Sequence, residues 1–142
     1  MKKTDFHYSI VIPVYNEESN LNELCRRLDF VMSRQKLSYE IILVNDASVD
    51  RSWEIIEKIA KKDPQVKGIS FSRNFGQQSA ITAGLEASKG EVVVMMDADF
   101  QDPPELLPSF FKKIDLGFDV VYGVSASRHD PIVRKILFNG YY

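Results

Sequence analysis

The chain has 142 residues, 44% of them apolar and 27% charged, with a formal net charge of −2. That mixture suits one soluble globular domain able to bury a core, and it argues against a disordered or fibrous chain. The slightly negative balance removes the broad positive field of a nucleic-acid or anionic-membrane binder, so no nucleic-acid partner is expected.

The apolar run in the N-terminal stretch MKKTDFHYSIVIPVY is too short for a signal segment or a membrane span, and Asp5 interrupts its start. It reads instead as a first strand over residues 8–14. A helical period follows over 19–35, where Leu21, Leu24, Leu28 and Val31 form one stripe. Cys25 abuts that stripe and reads as a packing residue. As the chain's single cysteine it cannot form an internal disulfide, which fits a reducing, cytoplasmic setting.

The alternation then repeats: a strand over 39–45, a helix over 52–62, a strand over 66–72, a helix over 76–87, a strand over 91–97, a helix over 104–115 and a strand over 119–124. Asp50 is placed to cap the second helix, and Pro103 and Pro104 suit the first turn of the fourth. Runs such as IILV and VVVMM are apolar on both faces and need cover on both sides. Alternating helices supply that cover through right-handed crossovers, giving an α/β fold with a mostly parallel, Rossmann-like sheet. No linker or repeat divides the chain, so residues 1–142 are expected to form one domain. Past residue 124, Ile132, Val133, Ile136 and Leu137 begin another amphipathic pattern, read as the start of a region truncated at the C-terminus.

Polar residues gather at the strand ends, where ligands of open α/β sheets bind. Strand one runs out into Tyr15, Asn16, Glu17 and Glu18, strand two into Asn45, Asp46 and Ser48, and strand four into Asp97 and Asp99. In an extended segment Asp97 and Asp99 point the same way and can share a hard divalent cation, Mg²⁺ or Mn²⁺. An acidic solvent-exposed turn would explain the same tripeptide. Likewise Asp46 and Ser48 can be only a turn and cap, Glu17 and Glu18 can merely favour a helix start, and Tyr15 can be a packing aromatic.

The segments SIVIPVYNEESNL, YEIILVNDASVDRSWEII, SRNFGQQSAITAGLEASKGEVVVMMDADFQDPPE and DVVYGV together resemble the N-terminal half of a family 2 inverting glycosyltransferase with the GT-A fold. The nearest likeness is the branch that moves a sugar from a nucleotide donor to polyprenyl phosphate, such as dolichol-phosphate mannose synthase and bactoprenol glucosyltransferase. The resemblance implies that Pro13, Tyr15 and Glu17 cradle the nucleobase and that Val44 and Asp46 hold base and ribose. It further implies that Asp97 and Asp99 bind a metal bridging the donor diphosphate, with Ala98 contacting the nucleotide and Gln101 adding a ligand. The implied partners are a UDP- or GDP-linked sugar and a lipid-phosphate or cell-envelope glycan acceptor. Membrane contact would come only through regions absent from this chain; homo-oligomerisation is left open.

Where many relatives carry an arginine after VYGV this chain has Ser125, which leaves Arg128 as the candidate catalytic phosphate contact, with a solvated loop arginine as its plain alternative. Arg134 and Lys135 face either an acceptor phosphate or water. Arg73 and Asn74 either touch donor phosphate or fix their loop, Phe75 reads as a core anchor, and Gly76 permits a turn. No general base is visible, which suits an acceptor whose phosphate oxygen is already anionic. Two rivals are a nucleotidyltransferase, which would more often open with a glycine-rich basic loop, and a receiver-like binding module, which would tend to carry a lysine at its last strand. Neither feature is present in SIVIPVYNEE or VYGVSASR.

Overall fold

The computed structural model describes residues 7–35 and 38–124. Its elements run β1 (Tyr8–Val14), α1 (Leu21–Ser33), β2 (Tyr39–Asn45), α2 (Ser52–Lys62), β3 (Val66–Ser70), α3 (Gln77–Ala87), β4 (Val92–Met95), a 3₁₀ turn (Pro104–Leu106) and α4 (Leu107–Asp115). The four strands form one parallel sheet in the order β3-β2-β1-β4. The chain builds outward from β1 through β2 to β3 and then crosses back to lay β4 on the other side of β1. That reversal opens a crevice at the carboxyl ends of β1 and β4, the position where open α/β sheets bind ligands.

The two central strands are buried from end to end apart from Pro13, as continuous apolar runs require. On one face Val11, Ile42 and Val44 pack with Ala80 of α3. Gly84 lets α3 lie directly on β1, since a Cβ there would stand 2.2 Å from Val11 Cγ1. On the other face α2 packs over β3, and α1 lies against α2. Cys25 is buried in α1, and desolvation, with a smaller contribution from Asp63, pushes its thiol up to about 12. That makes it a packing residue with negligible thiolate character.

The differences from the expected elements have local causes. The predicted strand over 119–124 is absent: Val120, Tyr122 and Val124 are each more than 70% exposed, and among the described residues no strand pairs with the segment. β4 is shorter than predicted, pairing with β1 in a register that ends at Met95, and Val93 and Met95 stay exposed, so the expected cover on both faces of VVVMM is present on one face only. The fourth helix opens as a 3₁₀ turn from Pro104 before α4 begins. Asp50 stands one residue further out than a cap, yet its Oδ1 accepts the Ser52 N–H at 2.9 Å. Ser125, Arg128, Arg134, Lys135 and the amphipathic pattern after residue 131 lie outside the described residues. By contacts the chain divides into two units, residues 1–108 and 109–142; the sheet and its connections lie in the first.

At the amino end of the sheet, opposite the crevice, Glu40 is fully buried in β2. Its carboxylate accepts the Ser9 hydroxyl at 2.6 Å and the Lys89 N–H at 2.7 Å, and pairs with Lys67 Nζ. Ser9 Oγ in turn accepts the Gly90 N–H at 2.8 Å, so the cluster ties the α3–β4 connection to two strands. Burial pushes the Glu40 carboxyl up, and the bonds from Lys67, Ser9 and Lys89 outweigh it, so the group titrates below the ordinary glutamate range. A folded-state value below the unfolded one gives stability that is present above the ordinary range and lost as pH falls through it. Replacing Glu40 by Gln is therefore expected to cost about 2 kcal/mol at neutral pH. In paired thermal melts the gap between variant and wild type should close as pH falls below about 4; a gap independent of pH would contradict the assignment.

Candidate functional site

Three loops meet at the carboxyl end of the sheet, and they are fastened to one another before any ligand is considered. The β1–α1 loop lies against the β2–α2 loop. Asn16 donates its backbone N–H to Ser48 Oγ at 2.9 Å, and its own Oδ1 accepts the Val49 N–H at 2.9 Å. Glu17 donates its N–H to Ser52 Oγ at 2.9 Å, and Glu18 donates its N–H to Asp50 Oδ2 at 3.1 Å. Glu18 Oε2 closes the exchange by accepting the Arg51 N–H at 2.9 Å. Burial pushes the Asp50 carboxyl up, but the bonds from Ser52 and Glu18 prevail and hold it below the usual carboxylate range.

These reciprocal bonds satisfy backbone groups that a loop would otherwise leave to water. They also hold two left-handed residues, Asn16 at φ 57° and Ala47 at φ 54°. Asparagine tolerates that region through local hydrogen bonding, whereas alanine adopts it at a cost its surroundings must offset. Below them Asn45 is buried, donating from Nδ2 to Ser70 Oγ at 2.9 Å and accepting the Ser48 N–H at 3.2 Å.

Asp46 joins the third loop to this pair. The residue is only 3% exposed, and its carboxylate accepts the Phe75 N–H at 2.7 Å and the Gly76 N–H at 2.9 Å. The turn it braces leads into α3 through Gly76 at φ 91°, a region that glycine adopts without strain. The plain reading of Asp46 as a simple turn-and-cap residue thus falls short: it is a long-range brace that also lines the cleft.

On the fourth strand end burial alternates, with Met96 and Ala98 buried and Asp97 and Asp99 exposed. Both residues line the same cleft, on a backbone that bends at 98–100 and does not run on extended. Gln77, the first residue of α3, donates from Nε2 to Asp97 Oδ1 at 2.8 Å. Asp99 Oδ1 accepts the Gln101 N–H at 3.0 Å. Among the described residues no group of three acidic, histidine or cysteine side chains gathers to hold a metal. Two hard oxygen donors facing one cleft fit Mg²⁺ or Mn²⁺ only as an ion that draws further ligands from substrate and water.

The cleft has a volume of about 370 Å³. Pro13, Tyr15, Glu17, Asp46, Asp97, Ala98 and Asp99 all line it, joined by Val14, Asn74, Gly76 and Gln77. Tyr15 is about half exposed there. Two candidates stand apart. The Val44 side chain is fully buried in the sheet against α3 and does not line the cleft. Gln101 is exposed, and its backbone N–H serves the turn at Asp99. Phe75 is not the expected core anchor: it is half exposed, edge-on to Phe71 at 5.5 Å, with the Arg73 guanidinium 4.8 Å from its ring centre. Sequence reasoning missed Gln77 and the serines at 48 and 52 as fasteners. Their partners lie 20 to 35 residues away, and local spacing carries no signal of such contacts.

The sequence of residues 9–137 matches the family described as glycosyl transferase family 2. An uncharacterised glycosyltransferase of Bacillus subtilis strain 168, YkcC, is 51% identical over 121 residues, covering 85% of this chain and 38% of that protein. The undecaprenyl-phosphate 4-deoxy-4-formamido-L-arabinose transferase of Pseudomonas aeruginosa strain LESB58 is 43% identical over 128 residues, 89% of this chain and 38% of its own length. The chain thus spans about two fifths of the curated relatives it matches. Among solved structures, residues 1–349 of S. aureus TarS in complex with UDP align with a TM-score of 0.62 at 28% identity, over 78% of this chain and 32% of that one. The mannosyltransferase PcManGT of Pyrobaculum calidifontis, solved with GDP-Man and Mn²⁺, shares the fold with a TM-score of 0.65 at 23% identity, over 75% and 32% of the two chains. Fold and family match agree: this chain belongs to glycosyl transferase family 2 and has the GT-A fold of its glycosyltransferase neighbours.

Proposed function

We propose that this chain is the nucleotide-sugar-binding part of an inverting, metal-dependent glycosyltransferase that takes a sugar from a UDP- or GDP-linked donor. The observation that carries this reading is the gathering of Tyr15, Glu17, Asp46, Asp97 and Asp99, from three separate strand ends, around one cleft at the sheet's switch point. Tyr15 offers an aromatic face to a base, and Glu17 offers acceptors to base N–H groups or ribose hydroxyls. Asp46 keeps the turn before α3 in place and presents its remaining lone pairs to the same pocket.

Asp97 and Asp99 are the residues that would hold Mg²⁺ or Mn²⁺. When bound, the ion supplies positive charge opposite the diphosphate that leaves with the electrons of the anomeric C–O bond. The acceptor oxygen forms the new bond from the opposite face, which inverts the anomeric centre. Relatives named as undecaprenyl-phosphate transferases support polyprenyl phosphate as that acceptor, ahead of a cell-envelope glycan. Its anionic oxygen needs no base. Arg128 remains the proposed cationic contact to phosphate, and the proposed setting is the cytoplasmic side of a membrane. No helix among the described residues is long and apolar enough to cross one.

Calorimetric titration of UDP and GDP, with and without Mn²⁺, tests the reading. One nucleotide should bind in a cation-dependent manner, and Asp99→Asn should weaken that binding on the order of tenfold or more. Cation-independent binding, or equal binding by the variant, would contradict it. Asp46→Asn places an amide N–H₂ or a weaker acceptor against two backbone donors and is expected to cost about 2 kcal/mol in a denaturant melt. It should weaken nucleotide binding as well; a variant with unchanged stability would show that the brace is idle.

A further inference from the structure

A groove beside the site, between α1 and the 3₁₀ turn, holds an arginine that none of the roles above uses. Arg27 of α1 donates from Nε to Glu105 Oε1 at 2.8 Å, and its Nη2 pairs with Glu105 Oε2. The same guanidinium lies 4.9 Å from the centre of the Phe100 ring. Glu105 belongs to the 3₁₀ turn, and Phe100 directly follows Asp99. One side chain therefore grips the segment after the carboxylate pair at both of its ends.

The grip falls on a strained backbone. Phe100 has φ 63°, in the left-handed region that a bulky side chain adopts only when its surroundings hold it there. Asp99 Oδ1 accepts the Gln101 N–H across this residue, so the direction of the Asp99 carboxylate is coupled to the same turn. A guanidinium suits the task because it is planar, forms two parallel bonds to a carboxylate and stacks on a ring at once; an ammonium is a single point charge.

We propose that Arg27 is a positioning residue for the Asp97 and Asp99 pair, holding residues 100–105 so that both carboxylates face the cleft before a ligand arrives. The claim about the loop rests on this geometry; its consequence for binding rests on the nucleotide-sugar reading. Arg27 and Glu105 are both partly exposed, and such a pair contributes little to global stability. Its loss should therefore appear in the loop and not in the sheet.

The test combines hydrogen exchange with nucleotide titration on the whole 142-residue chain, in wild type, Arg27→Ala and Glu105→Gln, which breaks the same pair from its other side. In both variants the Gln101 amide, which is bonded to Asp99 Oδ1, should exchange about tenfold faster while the amides of β1 and β2 are unchanged. Nucleotide affinity measured with Mn²⁺ should fall by about 10–100-fold while affinity without the cation stays the same. Unchanged loop exchange in both variants overturns the proposal, as does uniformly faster exchange, which would mark general destabilisation. Faster loop exchange with cation-dependent affinity retained also overturns it. Faster loop exchange in a chain whose wild type binds no nucleotide supports the clamp and overturns only the nucleotide-sugar reading.

Discussion

Asp46 sits where the chain has least freedom. It leaves the end of β2 with almost no exposure, and both carboxylate oxygens are engaged by consecutive backbone amides that open the path to α3. A buried carboxylate is expensive unless its oxygens are satisfied, and two amide donors in a short turn satisfy them. In exchange the turn is fixed relative to the sheet, and with it Gln77, whose amide reaches across to Asp97. The strand-four carboxylate is thus oriented by a helix that is itself anchored on strand two.

The remaining strand end is fixed in the same manner by different chemistry. Residues 16–18 and 48–52 exchange hydrogen bonds in both directions, so neither loop keeps its shape without the other. Left-handed Asn16 and Ala47 persist inside this lattice, where reciprocal bonds tie the two loops together. Entropy explains the value of the arrangement. A pocket ordered before binding avoids the cost of ordering its loops when the ligand arrives. Asp97 and Asp99, by contrast, remain exposed at the mouth, which suits groups meant to meet a cation and a phosphate.

Much of the frame was legible in the chain itself. The boundaries of β1 and β2 follow directly from apolar runs because both strands are interior, and those of α2 follow from the helical period of a helix buried on one side only. The gathering of Asp97 and Asp99 after VVVMM was legible too, although the backbone between them bends and the extended spacing assumed for the pair is not what brings them together. What failed was local pattern without a partner. Residues 119–124 read as a strand, yet nothing among the described residues pairs with them, and their apolar side chains stay exposed. Phe75 read as a core anchor, but it is half exposed beneath the Arg73 guanidinium. The fasteners Ser48, Ser52, Gln77 and Arg27 were invisible for a simple reason: their partners lie 20 to 78 residues away in the chain.

In the proposed nucleotide-sugar site three strand-end loops surround one cleft, with the carboxylate pair at its metal-facing side. Amide chemical-shift mapping with UDP and GDP, followed by paramagnetic broadening with Mn²⁺, addresses it most directly. Shifts should be confined to residues 14–17, 46–48 and 74–77 for one nucleotide, with broadening strongest at 97–99. Shifts centred on the groove between α1 and the 3₁₀ turn, or broadening remote from Asp97 and Asp99, would contradict it.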